Sequence, residues 1–224
     1  AFVRTGTPMA GHAGMQGGEF WNTYQRGMRS LAALSAGEIA DRFPMPPGAR
    51  DMLDIGGSHG YFSVSLCRKH PNLRSEILDL PDAVEHAAPI LAEEKMGDRV
   101  RHRPGNALTE DLGEASADVV FMSQLVHHFT DEQNRALMKK IARALRPGGV
   151  CVMSDSIRPP RPGHGGQSAA LLDLYFAMMS ESGTWPVETM QAWLRSSGLE
   201  PLEPIWLRTL PGGARVAGRK APSA

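Results

Sequence analysis

The chain has 224 residues, 42% of them apolar, enough to bury one sizeable core in a single domain. Lysine plus arginine equals aspartate plus glutamate at 24 each, so no global field favours nucleic acid or an anionic membrane as partner. No stretch approaches the roughly 18 apolar residues of a membrane span, and the opening "AFVRTGTPMAGHAGMQGG" lacks a signal-peptide core. Cys67 and Cys151 lie far apart in apolar runs and read as buried thiols of a cytoplasmic protein. No Cys/His cluster has ligand spacing, so no metal is expected.

Residues 1–18 are glycine-rich and aperiodic and read as a flexible tail or linker. A helical lead-in segment spans 19–50. Within it Trp21, Tyr24, Met28, Leu31, Leu34 and Ile39 recur at helical spacing, which predicts a buried stripe, and "PMPPG" stops the helix. From residue 51 onward strands and helices alternate. Strands are predicted at 51–55, 74–80, 99–104, 117–123 and 149–155, and helices at about 60–70, 82–96 and 131–145. In "LRPGGVCVMSD" the helix should end at Leu145–Arg146, and Pro147-Gly148-Gly149 should turn the chain into the last of these strands. Such alternation implies a parallel sheet covered on both faces. Two further helices run through "SAALLDLYFAMM" and "VETMQAWLRSSG", and "EPIWLRTLPGGARVAGRK" predicts an antiparallel hairpin at the sheet edge.

"MLDIGGSHGYFSV" (52–64) places an acid and a glycine turn between the first strand and a helix. The dinucleotide fingerprint G-x-G-x-x-G fails in both registers, at Ser58 and Tyr61 or at His59 and Phe62, and no Gly-Lys-Ser/Thr follows for a P-loop. What remains is Asp54 followed by Gly56, Gly57 and Gly60, which suits a ligand carrying an ammonium group. Asp79 ends the second strand, where a carboxylate can accept both ribose hydroxyl hydrogens. After the third strand, Asn106 offers an amide donor and acceptor to adenine. Ammonium, ribose and adenine without a phosphate describe S-adenosyl-L-methionine.

The order "MLDIGGSHGYF", "EILDLP", "RPGNAL", "FMSQLVHHFTDE", "LRPGGVCVMSD" resembles the class I S-adenosylmethionine-dependent methyltransferases. "FWNTYQRGM" and "LDLPDAVEHA" narrow the likeness to the plant caffeate-type and bacterial small-molecule O-methyltransferases, over about residues 19–220. The resemblance implies an α/β Rossmann-like fold, a seven-stranded, mostly parallel sheet with a C-terminal antiparallel hairpin and helices on both faces. Residues 51–224 would form the catalytic domain. A winged-helix dimerisation region that precedes this domain in relatives is expected to be missing from this chain, the full-length protein being a homodimer.

Carried over by position, Gly56, Asp79 and the adjoining Leu80 contact the cofactor's methionine and ribose parts, while Asn106 and Ala107 sit at the adenine. The family usually has an acid at the position of Asn106 and a lysine at that of Ser123, also placed at the cofactor. His127 matches the catalytic histidine, His128 replaces a frequent aspartate, and Asp155 matches an acid that orients the base. Trp185 stands where a further family acid is expected, flanked by Glu181 and Glu188. Met28, Met178, Met179, Phe176 and Trp185 line an apolar acceptor pocket, with Met122 in the core. The expected reaction is methyl transfer to a hydroxyl of a small aromatic or polyketide-like acceptor. His127 removes the acceptor's proton, an effect worth about 10²–10⁴ in rate. The alternatives are C- or N-methyl transfer on the same fold, a non-catalytic S-adenosylmethionine-binding module and, more remotely, a nicotinamide enzyme.

Overall fold

The computed structural model describes residues 2–5, 18–159, 166–180 and 182–223. Strands β1 (Asp51–Ile55), β2 (Arg74–Asp79), β3 (Val100–Pro104), β4 (Ala117–Ser123) and β5 (Leu145–Ser156) pair in parallel in the order β3-β2-β1-β4-β5. Helices α1 (Phe2–Thr5), α2 (Gly18–Asp41), α3 (Tyr61–Lys69), α4 (Pro81–Glu93), α5 (Asp131–Ala144), α6 (Gly166–Met179) and α7 (Val187–Ser196) complete the α/β architecture. β6 (Leu199–Pro201), β7 (Ile205–Trp206) and β8 (Gly213–Lys220) follow. β8 lies antiparallel between β5 and β6, and β7 pairs beside it.

Two expectations are corrected here. The sheet has eight strands rather than seven, because the short β6 and β7 both pair with β8. The predicted hairpin is at the sheet edge, β7 pairing with the side of β8 away from β5, in line with β6. Pro147-Gly148-Gly149 lies inside β5, where the β4–β5 register shifts between Ala117 and Val119. Gly148, at φ 78°, carries that irregularity without ending the strand. Of the predicted tail, residues 2–5 form one helical turn, and 6–17 lie outside the described residues.

Period-two alternation puts the sheet's side chains into two apolar layers. Leu53, Ile55, Val120, Met122, Cys151 and Met153 pack under α5 and α7, against Leu137, Ile141, Met190 and Trp193. Met52, Ile77, Val119, Phe121, Val150 and Val152 pack under α2 and α3, against Ile39, Val64, Leu66 and Cys67. Burial pushes the Cys67 thiol up to about 11 and that of Cys151 to about 12, so both act as small apolar groups. The stripe predicted for α2 is only partly the buried one. Ile39 is buried, but Leu31 and Leu34 are 58% and 67% exposed. Ala32, Ser35, Ala36 and Ala40 face inward instead, small residues letting the helix approach closely, and Gln25 is buried beside them.

Phe121 joins this layer to the lead-in. Its ring meets those of Phe43 and Phe62 edge-on, at 5.7 and 5.8 Å between centroids. Phe121→Ala should therefore destabilise the domain by about 3–5 kcal/mol through the cavity it leaves. Urea unfolding measures this, and a loss below about 1 kcal/mol would mean that α2 and α3 do not depend on that junction.

Candidate active site

The glycine turn is shaped by close approaches. Gly56, at φ 69°, donates its N–H to the Leu78 carbonyl at 2.8 Å. A Cβ there would fall 2.7 Å from a Leu125 methyl, so the turn abuts the segment leading to His127. At Gly57 a Cβ would lie 2.5 Å from the Asp54 carboxyl carbon. Gly60 starts α3 in the left-handed region.

Asp54 shares the face of Met52 and is buried against this turn, directly behind Gly57. Its Oδ2 accepts from the Ser63 hydroxyl at 2.6 Å, and its buried Oδ1 has no partner. Burial, with the charge of Asp79 adding to it, pushes the carboxyl up to about 7.

Asp79 ends β2 and is half-buried. Its Oδ2 accepts from the Ser58 N–H and its Oδ1 from the Leu80 N–H, each at 2.8 Å. Burial raises its pKa, while these backbone bonds and His102 oppose the rise. The carboxylate keeps further lone pairs for other donors. Leu80 caps α4 and is exposed. Ser58 is held twice more: its hydroxyl donates to the Gln25 side chain of α2, and His102 Nε2 donates to its carbonyl at 2.7 Å. Sequence reasoning missed Gln25 and His102; both are polar side chains at inward positions of their elements.

Asn106 is exposed, and its Oδ1 accepts from the Leu108 N–H at 2.9 Å, closing a local turn. One lone pair of the side-chain carbonyl is used in this turn, and the amide N–H groups and the second lone pair remain for other partners. Ala107 is buried in the core, and its carbonyl accepts from Lys140 at 2.8 Å. Ser123 is half-buried at the end of β4, beside Ser154 of β5.

His127 occupies a short 3-10 turn, Val126–His128, between β4 and α5 and is 1% exposed. Its Nδ1 meets Asp155 Oδ1 at 2.7 Å. That carboxyl also accepts from the N–H groups of Leu125 at 3.1 Å and Ser156 at 2.7 Å. Asp155 thus accepts from Nδ1, which leaves the lone pair on Nε2. Phe176 of α6 lies over the imidazole, 3.6 Å between centroids at 31°.

The turn is clamped from outside. The Ser180 hydroxyl and the Gly183 N–H donate to the His127 carbonyl at 2.9 and 3.2 Å. The Trp185 indole and the Asn134 amide donate to the Val126 carbonyl at 3.1 and 3.0 Å. Trp185, where an acid was expected, is therefore a donor to the turn that carries the histidine. Glu188 is exposed on α7, so it does not replace that acid at His127, and Glu181 lies outside the described residues. Asp173, which sequence reasoning missed, anchors the clamp: it accepts from Arg158 at 3.1 Å and the Thr184 N–H at 3.2 Å. Met178 and Met179 are half-buried at the end of α6, Met28 is half-buried one turn after Gln25, and Met122 is core.

An open α/β sheet with a glycine turn after β1, an acid closing β2 and a histidine–carboxylate pair beyond β4 and β5 has the architecture of the class I methyltransferases. The O-methyltransferase domain model matches residues 5–198, and the chain belongs to that family. It is 27% identical over 206 residues to a 3-hydroxy-5-methyl-1-naphthoate 3-O-methyltransferase of Streptomyces sahachiroi, covering 90% of this chain and 56% of that protein. It is 30% identical over 182 residues to an L-tyrosine C(3)-methyltransferase of Streptomyces lavendulae, covering 80% and 48%. The chain thus spans about half the length of these curated relatives. The structure of human N-acetylserotonin methyltransferase in complex with S-adenosylmethionine superposes with a TM-score of 0.82 at 16% identity, covering 98% of this chain and 64% of that one, a likeness of fold.

The position of Asp54 has a measurable consequence. The unfolded carboxyl titrates near 3.8 and the folded one near 7, so between them the native state holds a proton that the unfolded chain has released. Stability from this group is complete at low pH and is lost as pH rises through about 7. Urea unfolding of Asp54→Asn between pH 4 and 7 should show a shallower decline than wild type, and identical slopes would contradict the assignment.

Proposed function

We propose that this domain transfers a methyl group from S-adenosylmethionine to a hydroxyl of a small aromatic or polyketide-like molecule, with His127 as general base. The observation that carries the reading is the buried His127–Asp155 pair at 2.7 Å beside the glycine turn.

The residues at the turn fit the cofactor. The unpartnered Asp54 Oδ1 behind Gly57 suits a cationic ammonium, whose field would draw the carboxyl back to its charged form. Gly56 and Gly57 let the backbone approach a ligand closely. Asp79, already fixed by two backbone N–H groups, has lone pairs left for the ribose hydroxyls, with the Asn106 amide donor toward the adenine. When bound, S-adenosylmethionine supplies a methyl already activated on a sulfonium.

The chain's own work is positioning and proton removal. A phenol or enol titrates near pKa 10 and needs a base at neutral pH. Nε2 of His127 takes the hydroxyl proton while Asp155 holds the ring and offsets the charge it gains. Phe176, Met178, Met179, Met28 and Trp185 supply apolar walls for a flat acceptor. Two relatives named for a naphthoate and for tyrosine support an aromatic acceptor, and the second, a C-methyltransferase, keeps carbon transfer as the rival reading.

Methyl-labelled cofactor with a panel of phenols, enols and amines should label oxygen. His127→Gln should cut turnover by about 10²–10⁴ with cofactor affinity retained. Label on carbon or nitrogen only, or cofactor binding without transfer to any acceptor, would refute the reading.

A further inference from the structure

Several buried polar groups without a hydrogen-bond partner meet at one place outside the histidine pair. Ser154 of β5 pairs in register with Arg215 of β8, so their side chains share the face covered by α2. Ser154 is 1% and Arg215 5% exposed. Two residues on, the Ser156 hydroxyl donates to the Gln124 side-chain carbonyl at 3.3 Å, which draws the Gln124 amide to the same strand end. The Ser154 hydroxyl, the Gln124 Nε2 and the Arg215 Nε and Nη1 all lack a partner. All of them donate hydrogen bonds, and only the hydroxyl can also accept.

A buried guanidinium is ordinarily matched by a carboxylate. Here the charged neighbour that bears on Arg215 is a second cation, Arg42, itself paired with Glu38. Burial and Arg42 lower the Arg215 pKa to about 10, which still leaves it charged at neutral pH. Gln124, at φ 52°, holds a backbone conformation that favours glycine, directly after β4 and three residues before His127. A cluster of buried donors around an uncompensated charge is complementary to an anion with several acceptor oxygens.

We propose that Arg215, Ser154 and Gln124 bind a carboxylate carried by the methyl acceptor, which lies over the carboxyl ends of β4 and β5 with its carboxylate on the α2 side of the sheet and its hydroxyl on the His127 side. The proposal rests on the methyltransferase reading and narrows its substrate to hydroxylated aromatic or polyketide-like acids. The cofactor's own carboxylate is the other source of this chemistry, and strand order argues against it. Gly56 and Asp54 belong to β1, whereas β8 is the third strand along from β1, about 14 Å away at the usual spacing of about 4.8 Å.

The test is calorimetry on protein saturated with S-adenosylhomocysteine, using 4-hydroxybenzoate, salicylate and 3-hydroxy-2-naphthoate against their primary amides. Wild type should bind at least one acid about tenfold or more tighter than its amide. Arg215→Met should weaken acid binding by about 10- to 100-fold, leave the amides and the cofactor product unchanged, and melt no lower than wild type without ligand. Should that variant fail to fold, Gln124→Glu, which sets a like charge against the anion, should abolish the acid preference. The proposal is overturned by equal affinity for acids and amides, by binding of none of the acids, or by a loss of cofactor-product affinity in Arg215→Met. Preferential binding of an acid with no methyl transfer to any acceptor would support the carboxylate site and count against the transfer reaction instead.

Discussion

The register between β4 and β5 is the constraint on which the site depends. Ser123 pairs with Ser154, so Asp155 falls one residue beyond the end of β4, where the chain turns into Leu125–His127. Because side chains alternate, Asp155 then points to the α5 and α7 face and meets the imidazole, while Ser154 points to the α2 face. A slip of one residue would exchange them. Three donors, the imidazole and the backbone N–H groups of Leu125 and Ser156, converge on the Asp155 carboxyl and tie both strand ends to it. The shift earlier in the same pairing, at Pro147-Gly148-Gly149, belongs to this arrangement, since it sets the phase that β5 keeps through its last residues.

A histidine turn held only by its own two strands would be free to rock. In this domain its carbonyls are occupied by Ser180, Gly183, Trp185 and Asn134, drawn from α5, from the end of α6 and from the segment before α7. Asp173 and Arg158 fasten that segment to the end of β5. Relatives are expected to place an acid at Trp185, and a donor to the Val126 carbonyl does a different job: it fixes the backbone of the turn and leaves Asp155 as the carboxylate on the imidazole. Phe176 closes the arrangement from α6, covering one face of the ring.

Much of this was legible in the sequence because it depends on local pattern. Strand β1 at 51–55 and β4 at 117–123 matched their predicted limits, since apolar runs bounded by turn residues specify buried parallel strands. Glycines 56, 57 and 60 were expected between the first strand and its helix and Asp79 at the end of the second strand, and the structure places them there. What depended on tertiary contacts was not legible. The burial of Asp54 under α3, where it accepts from Ser63, could not be read from the acid-then-glycine pattern. The bond from the Leu108 N–H that ties the Asn106 side chain into its own turn was likewise not legible. Leu31 and Leu34 fitted a buried helical stripe, and only the packing of Ala32, Ser35 and Ala36 against the domain turns them outward. Arg215 gave no signal at all, because a charged residue near the C-terminus reads as surface until β8 is seen inserted between β5 and β6.

That His127 acts as a base is tested most directly by grading the acceptor's acidity. A series of phenols of similar shape but decreasing pKa should be turned over by wild type and by His127→Gln. The ratio of the two rates should be large for weakly acidic phenols and fall toward one as their pKa drops below the assay pH, because an acceptor already ionised needs no base. A ratio that stays constant across the series would contradict proton removal by His127 and leave its pairing with Asp155 a matter of packing and position.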